Sequence, residues 1–247
     1  MKHKVVTAVL MSVALLAMGA PQARALSIQI FQGPFQTGSG GEFTVSANAG
    51  QAFSGYYKTS GATDVQNTGN VGTHDPSFQS FCLEKSETFS YGTTYEYSVN
   101  SAAVAGGLGA VGGKDPISIG TAFLYSQFAS GTLASYNWAT TAGRQTSAGL
   151  LQNAIWCLED EQTCADSYWQ SNSFLNAVLN KYGSQAAAKA NSGGEFGVKV
   201  LNVYDTGNPN SRHQDMLVQT PEPASMLLLG SGLIGLPFLR RKLGKKS

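Results

Sequence analysis

Apolar and polar residues alternate at the start of the body of the chain, and a helical period occupies its middle. In "EFTVSA", Phe43 and Val45 alternate with polar neighbours, the two-residue period of a half-buried strand. "TTYEYSVN" (93–100) does the same with Tyr95, Tyr97 and Val99. Further strand-like runs lie at 27–32 ("SIQIFQ"), 41–47 ("GEFTVSA") and 54–60 ("SGYYKTS"). After a glycine-rich loop the period lengthens. Asp115 can cap a helix and Pro116 suits its first turn. Ile119, Ala122, Phe123 and Phe128 then follow helical spacing up to Gly131. "SAGLLQNAIWCLEDE" (147–161) predicts a second helix, with Leu151, Ile155 and Leu158 on a core-facing stripe. "DSYWQSNSFLNAVLNKYG" (166–183) predicts a third, ending at Gly183. "FGVKVLNVYDTG" and "QDMLVQ" return to strands. Strands, then helices, then strands predict an α+β domain, a β-sandwich with a helical insert.

The two ends differ from the body. Residues 1–25 have Lys2 and Lys4, an apolar run over 5–18, and Ala23-Arg24-Ala25. That is the charged, apolar and small-x-small order of an export signal peptide cleaved after Ala25. At the other end stand Pro221, Glu222 and Pro223, an apolar stretch over 224–239, and a basic tail that opens with Arg240, Arg241 and Lys242. A helix over that stretch is about 24 Å long, short for a hydrocarbon core, and its glycines and Pro237 suit a temporary anchor. The basic tail stops transfer on the cytoplasmic side.

Over residues 220–247 the tail resembles the PEP-CTERM sorting signal of Gram-negative bacteria: Pro-Glu-Pro, a short transmembrane segment and an Arg-rich end. The resemblance implies cleavage at the motif by an exosortase after transient membrane anchoring. It also implies a final place at the cell surface or in an extracellular, polysaccharide-rich biofilm matrix. The expected organisation is therefore a signal peptide (1–25), a folded domain (26–219) and a sorting segment with its transmembrane helix (220–247).

Trimming the ends changes the charge. The chain has 16 basic and 15 acidic residues, with three basic ones before residue 26 and five after 223. All 15 acidic residues lie between, so the body carries 8 basic residues and a net charge of −7. An acidic body argues against nucleic acid as a partner, because phosphate binding needs clustered Lys and Arg.

Several motifs lead nowhere. "GLGAVG" (107–112) matches G-x-G-x-x-G but lacks a strand before it and a helix opening on it, so no dinucleotide is expected. No cofactor and no metal are expected, since paired Cys-x-x-Cys and H-E-x-x-H patterns are absent. A Cys82 nucleophile with His74 or His213 stays open on spacing alone. Glu159, Asp160 and Glu161 read as a solvated acidic helix end, and a hydrolase would need convergent acids that the sequence does not show.

Three cysteines, Cys82, Cys157 and Cys164, make an odd number in an exported chain. Cys157 and Cys164 can bridge across "LEDEQT" and leave Cys82 single, or Cys82 can pair with either and leave another orphan. Gln152 poses a related problem. It interrupts an apolar helix face one turn from Trp156, where a primary amide must be hydrogen-bonded or chemically altered.

At these residues the chain resembles bacterial thioester domains, known best from Gram-positive surface adhesins. "FCLE" around Cys82 is similar to their aromatic-Cys-apolar motif, and "LQNAIW" (151–156) to their apolar-Gln-x-Ala-apolar-Trp motif. The resemblance implies a Cys82–Gln152 thioester shielded by Trp156 and Phe81, formed with loss of ammonia. It implies a single-use acyl donor toward amines, or more slowly hydroxyls, on a partner surface or matrix polymer, and no turnover as an enzyme. Tyr125, Gln127 and His74 are candidate helpers by residue type only. The alternative is a passive matrix or carbohydrate-binding β-domain in which Gln152 is a satisfied core amide.

Overall fold

The computed structural model describes residues 26–38, 40–47, 77–104 and 112–220. The signal segment, the strand expected at 54–60, His74, most of the glycine-rich loop and the sorting segment from 221 onward lie outside the described residues.

The chain is α+β. Its strands are β1 (Ser27–Thr37), β2 (Gly40–Ala47), β3 (Ser77–Ser80), β4 (Thr94–Asn100), β5 (Ala102–Val104), β6 (Lys114–Pro116), β7 (Val198–Asp205), β8 (Asn208–Arg212) and β9 (Met216–Gln219). Five helices form an insert between β6 and β7: α1 (Ile119–Ala129), α2 (Thr141–Leu158), α3 (Asp166–Ser171), α4 (Ser173–Tyr182) and α5 (Gln185–Ala188). Strands β3-β2-β1-β4-β7-β8 form one antiparallel sheet with β9 also on β7, while β5 and β6 make a separate hairpin.

The sheet curls until its ends meet. Beyond β3 the chain runs beside β9, with a bridge between Cys82 and Met216. The Leu217 N–H donates to the Phe81 carbonyl (3.2 Å) and the Leu83 N–H to the Asp215 carbonyl (3.1 Å). The two-residue strand period then sorts side chains between two cores. Ile28 and Ile30, Phe43 and Val45, Tyr95 and Tyr97, Leu201 and Val203, Met216 and Val218 pack with Phe78, Cys82 and Trp156 inside the curl. Strands from different sides of the sheet thus share one core, as they would in a sandwich. The opposite face, with Phe81, Leu83, Val198, Val200 and Leu217, packs under the helices against Leu124, Phe128, Leu151, Ile155 and Phe174. Burying each such side chain contributes about 1.5–3 kcal/mol.

Helix boundaries depart from the expected ones in instructive ways. Asp115 and Pro116 do not start α1; they belong to β6, paired with Ala103 and Ala102. Ser118 is the N-cap instead, its Oγ accepting from the Thr121 N–H (3.1 Å). Pairing across the 102–116 hairpin overrides a local capping signal. Helix α2 starts earlier than its apolar stripe indicates, at the Thr140 cap. The third predicted helix is two, because Asn172 leaves helical geometry and caps α4 by accepting from the Phe174 and Leu175 N–H groups. The acidic run is solvated only at Asp160. Glu159 and Glu161 are buried: Glu159 accepts from the N–H and Oγ of Ser118, and Glu161 from the Lys85 N–H.

Among the described residues no helix is long and apolar enough to cross a membrane, and no group of three or more His, Cys, Asp or Glu could hold a metal ion.

Candidate functional site

The site forms where the sheet closes. Cys82 faces Met216 without exchanging backbone hydrogen bonds with it; its flanking residues make those bonds. In an antiparallel ladder the N–H and C=O of such a residue point away from that partner. The β2–β3 ladder has already ended at Phe43 and Ser80, so none of the described strands takes up these two groups. The carboxamide of Gln152, delivered by α2, does so. The Cys82 N–H donates to Gln152 Oε1 (3.1 Å), and Gln152 Nε2 donates to the Cys82 carbonyl (2.8 Å). The side chain acts as a surrogate peptide group, extending the sheet by one unit. Both residues are almost fully buried. This accounts for a primary amide on an otherwise apolar helix face.

Gly40 makes the docking possible. A Cβ at that position would lie 2.4 Å from Gln152 Cγ and 3.0 Å from the Trp156 ring. Gly40→Ala is therefore expected to push Gln152 off Cys82 and to lower stability by about 1–3 kcal/mol, the usual cost of overpacking. A urea melt together with backbone amide exchange at Cys82 checks both effects.

Cys157 and Cys164 form a disulfide at the end of α2, and Cys82 is the free cysteine. Burial, and then the nearby Glu84, push the Cys82 thiol well above its ordinary range. It rests as a thiol, and any nucleophilic role requires a proton acceptor. Trp156 packs in the same core as Cys82. Phe81, expected beside it as a shield, lies on the other face of the strand, edge-on to Phe128 (4.9 Å) and Tyr125 (6.5 Å). Alternation along the strand makes that inevitable: neighbours in a strand point to opposite sides.

A pocket of about 270 Å³ opens beside Cys82, with Glu84, Glu87, Phe89, Tyr91, Trp156 and Gln214 among its lining residues. Burial pushes Glu84 up, and Asp215 and Glu87 add to the effect. Its Oε2 accepts from Gln214 Nε2 (3.0 Å) and from the Asp215 N–H (3.3 Å). Asp215 is raised less, because its carboxylate accepts from the Val104 and Val203 N–H groups and from Asn202 Nδ2. Glu87, half-buried, is raised to about 7 by burial, Asp215 and Glu161.

The other candidates lie elsewhere. Tyr125 donates its hydroxyl to the Gln79 carbonyl (3.0 Å), and Gln127 Oε1 accepts from Thr132. His213 pairs with Asp205 (2.7 Å) and packs on Tyr95, and no hydrogen bond joins it to Cys82. Glu84, Glu87 and Gln214 are site residues that sequence reasoning passed over. The available signal was two acids within five residues of Cys82 in "CLEKSE".

The raised carboxyls fix a pH dependence. Glu87 and Glu159 both rise from 4.5 to about 7, chiefly through burial. Between those values the folded chain holds protons that the unfolded chain has lost, so stability falls as pH increases. The contribution is complete below the unfolded value and gone above the folded one. The urea midpoint is expected to be higher at about pH 5 than at about pH 8.

Comparison with known proteins bears on one segment. No curated protein and no solved structure matches the chain. Residues 219–243 match the family described as PEP_exosort_dom: PEP-CTERM protein-sorting motif. The chain thus carries a PEP-CTERM sorting motif, which supports an exported cell-surface protein that an exosortase processes.

Proposed function

We propose that the folded domain holds a thioester between Cys82 Sγ and Gln152 Cδ and uses it to bond covalently to a partner surface or matrix polymer. The observation that carries this reading is the docking of the Gln152 carboxamide on the backbone of the free cysteine, beside an open pocket. Formation is an exchange at one carbon. The thiol gives up its proton, Sγ bonds to Cδ, and the amide nitrogen departs with that proton as ammonia. The oxygen that takes up charge in the tetrahedral intermediate is Oε1, which already accepts from the Cys82 N–H. A backbone donor aimed at developing charge is the arrangement of an oxyanion hole.

The thioester then reacts once. A primary amine attacks Cδ, the sulfur leaves, and an amide joins Gln152 to the partner. Hydroxyl groups react by the same path more slowly. The domain serves as an adhesin or cross-linker on the surface or in the biofilm matrix of a Gram-negative bacterium, delivered there by the sorting segment. The resemblance of "FCLE" and "LQNAIW" to thioester-domain motifs supports the same reading.

One observation favours a second reading, a passive matrix domain. The Gln152 amide has hydrogen-bond partners at both its oxygen and its nitrogen, so it is stable without further chemistry. Peptide mapping after methylamine treatment separates the two. The thioester reading requires N-methylated Gln152 and a Cys82 thiol that alkylates only after treatment. In a passive domain Cys82 alkylates on unfolding without any amine, and Gln152 stays unmodified.

A further inference from the structure

We propose that the pocket beside Cys82 is the entry site for a cationic primary amine on an apolar stem, and that Glu87 is the acceptor of its ammonium proton. The inference rests on the thioester reading and names the nucleophile and the base for it.

Three buried polar atoms of pocket-lining residues have no hydrogen-bond partner among the described residues: Glu84 Oε1, Glu87 Oε2 and Trp156 Nε1. Glu84 and Trp156 are themselves more than nine-tenths buried. A buried polar atom left unmatched is costly, so a ligand that supplies hydrogen bonds there gains affinity. Of the three, Glu87 Oε2 is the acceptor that matches an ammonium head. The aromatic wall matches its stem: Phe43, Phe89 and Tyr91 form an edge-to-face series that ends at the half-exposed Tyr91. Trp156 already takes an ammonium on its face, since Lys85 Nζ lies 5.3 Å from the ring centre.

The two carboxyls divide the work. Glu84 accepts two hydrogen bonds at Oε2, so when protonated it carries its proton on Oε1, with no acceptor among the described residues. Glu87, raised only to about 7, is ionised to a useful extent at neutral pH. Carboxyls whose surroundings push them apart make an acid and a base. The charged groups around them are Asp215, Glu161, His213 and Lys85.

The proton count closes. Of the three protons on the ammonium nitrogen, Glu87 takes one to solvent before attack. The nitrogen bonds to Gln152 Cδ and the Cδ–Sγ bond breaks. Glu84 gives the Oε1 proton to sulfur and regains one from the nitrogen, leaving the third on the new amide.

The test compares the full chain with its Glu87→Gln and Glu87→Asp variants. Wild type that is not one ammonia lighter than its sequence means that the thioester reading itself has failed. Given the deficit, Glu87→Gln should slow methylamine incorporation by at least about tenfold near neutral pH, the lower range for loss of a general base. Hydroxylamine is neutral there and needs no such base, so its reaction should keep its rate. Glu87→Asp should recover most of the methylamine rate. A Glu87→Gln rate equal to wild type, or slowed equally for both nucleophiles, overturns the assignment. So does a Glu87→Gln chain that has lost the deficit.

Discussion

Gln152→Ala is expected to abolish amine incorporation and to lower stability by about 2–4 kcal/mol. The first effect follows because the acyl carbon is gone. The second follows because the Cys82 N–H loses its acceptor, Gln152 Oε1, at about 1–3 kcal/mol for a buried group left unmade, and because truncating a buried side chain leaves a cavity. No strand can move in, since the β2–β3 ladder stops at Ser80 and β9 is engaged by Phe81 and Leu83. Gln152→Glu separates shape from chemistry. It keeps the volume and one acceptor for the Cys82 N–H, but it turns a second oxygen toward the Cys82 carbonyl and is not an acylating group. It should be as unreactive as alanine, with stability lost above the carboxyl's titration and partly regained in acid. Methylamine labelling read with a urea melt checks both variants.

Arg144→Ala carries the largest expected cost to the fold, about 3–5 kcal/mol, because it strands a buried carboxylate. Glu42, on β2, has no solvent exposure. Its oxygens accept from Arg144 Nε (2.7 Å), Arg144 Nη2 (2.8 Å) and the Tyr136 hydroxyl (2.5 Å). The guanidinium also lies over the Phe35 ring at 4.1 Å and near Trp138 at 5.1 Å. Burial raises Glu42, and only Arg144 and Tyr136 oppose that shift. The ion pair ties α2 to β2 two residues from Gly40, so it also fixes where Gln152 arrives. The double variant Glu42→Gln/Arg144→Met removes both charges and should recover much of the loss, as replacing a whole buried pair often does. Chemical denaturation of the single and double variants gives both numbers.

The local elements were readable because local patterns encode them. Phe43 and Val45, Tyr95 and Tyr97 face the core as their alternation predicts, and Leu151, Ile155 and Leu158 hold the helical core. The oddity of Gln152 pointed to the site because an amide has no reason to sit on an apolar stripe unless something meets it. What met it was not readable. The partner is the backbone of Cys82, seventy residues away, exposed by the way β3 passes from β2 to β9. Such a gap exists only once the sheet has curled, and no window of sequence contains it. The acids were misread for the same reason. Glu159 and Glu161 look like a solvated helix end until Ser118 and Lys85 bring backbone donors to them from distant segments. Asp115-Pro116 carries a capping signature, but the hairpin with Ala102 and Ala103 claims it first.

On the thioester reading Cys82 and Gln152 are joined, and the intact mass of the folded chain decides whether they are. The expected mass is one ammonia below that of the sequence after the Cys157–Cys164 disulfide is counted. Methylamine should then raise the mass by one molecule of the amine. A full mass that methylamine leaves unchanged would mean that Cys82 and Gln152 are not joined. So would a deficit that methylamine cannot reverse, because that would mean an internal amide, for instance to Lys85, in place of a thioester.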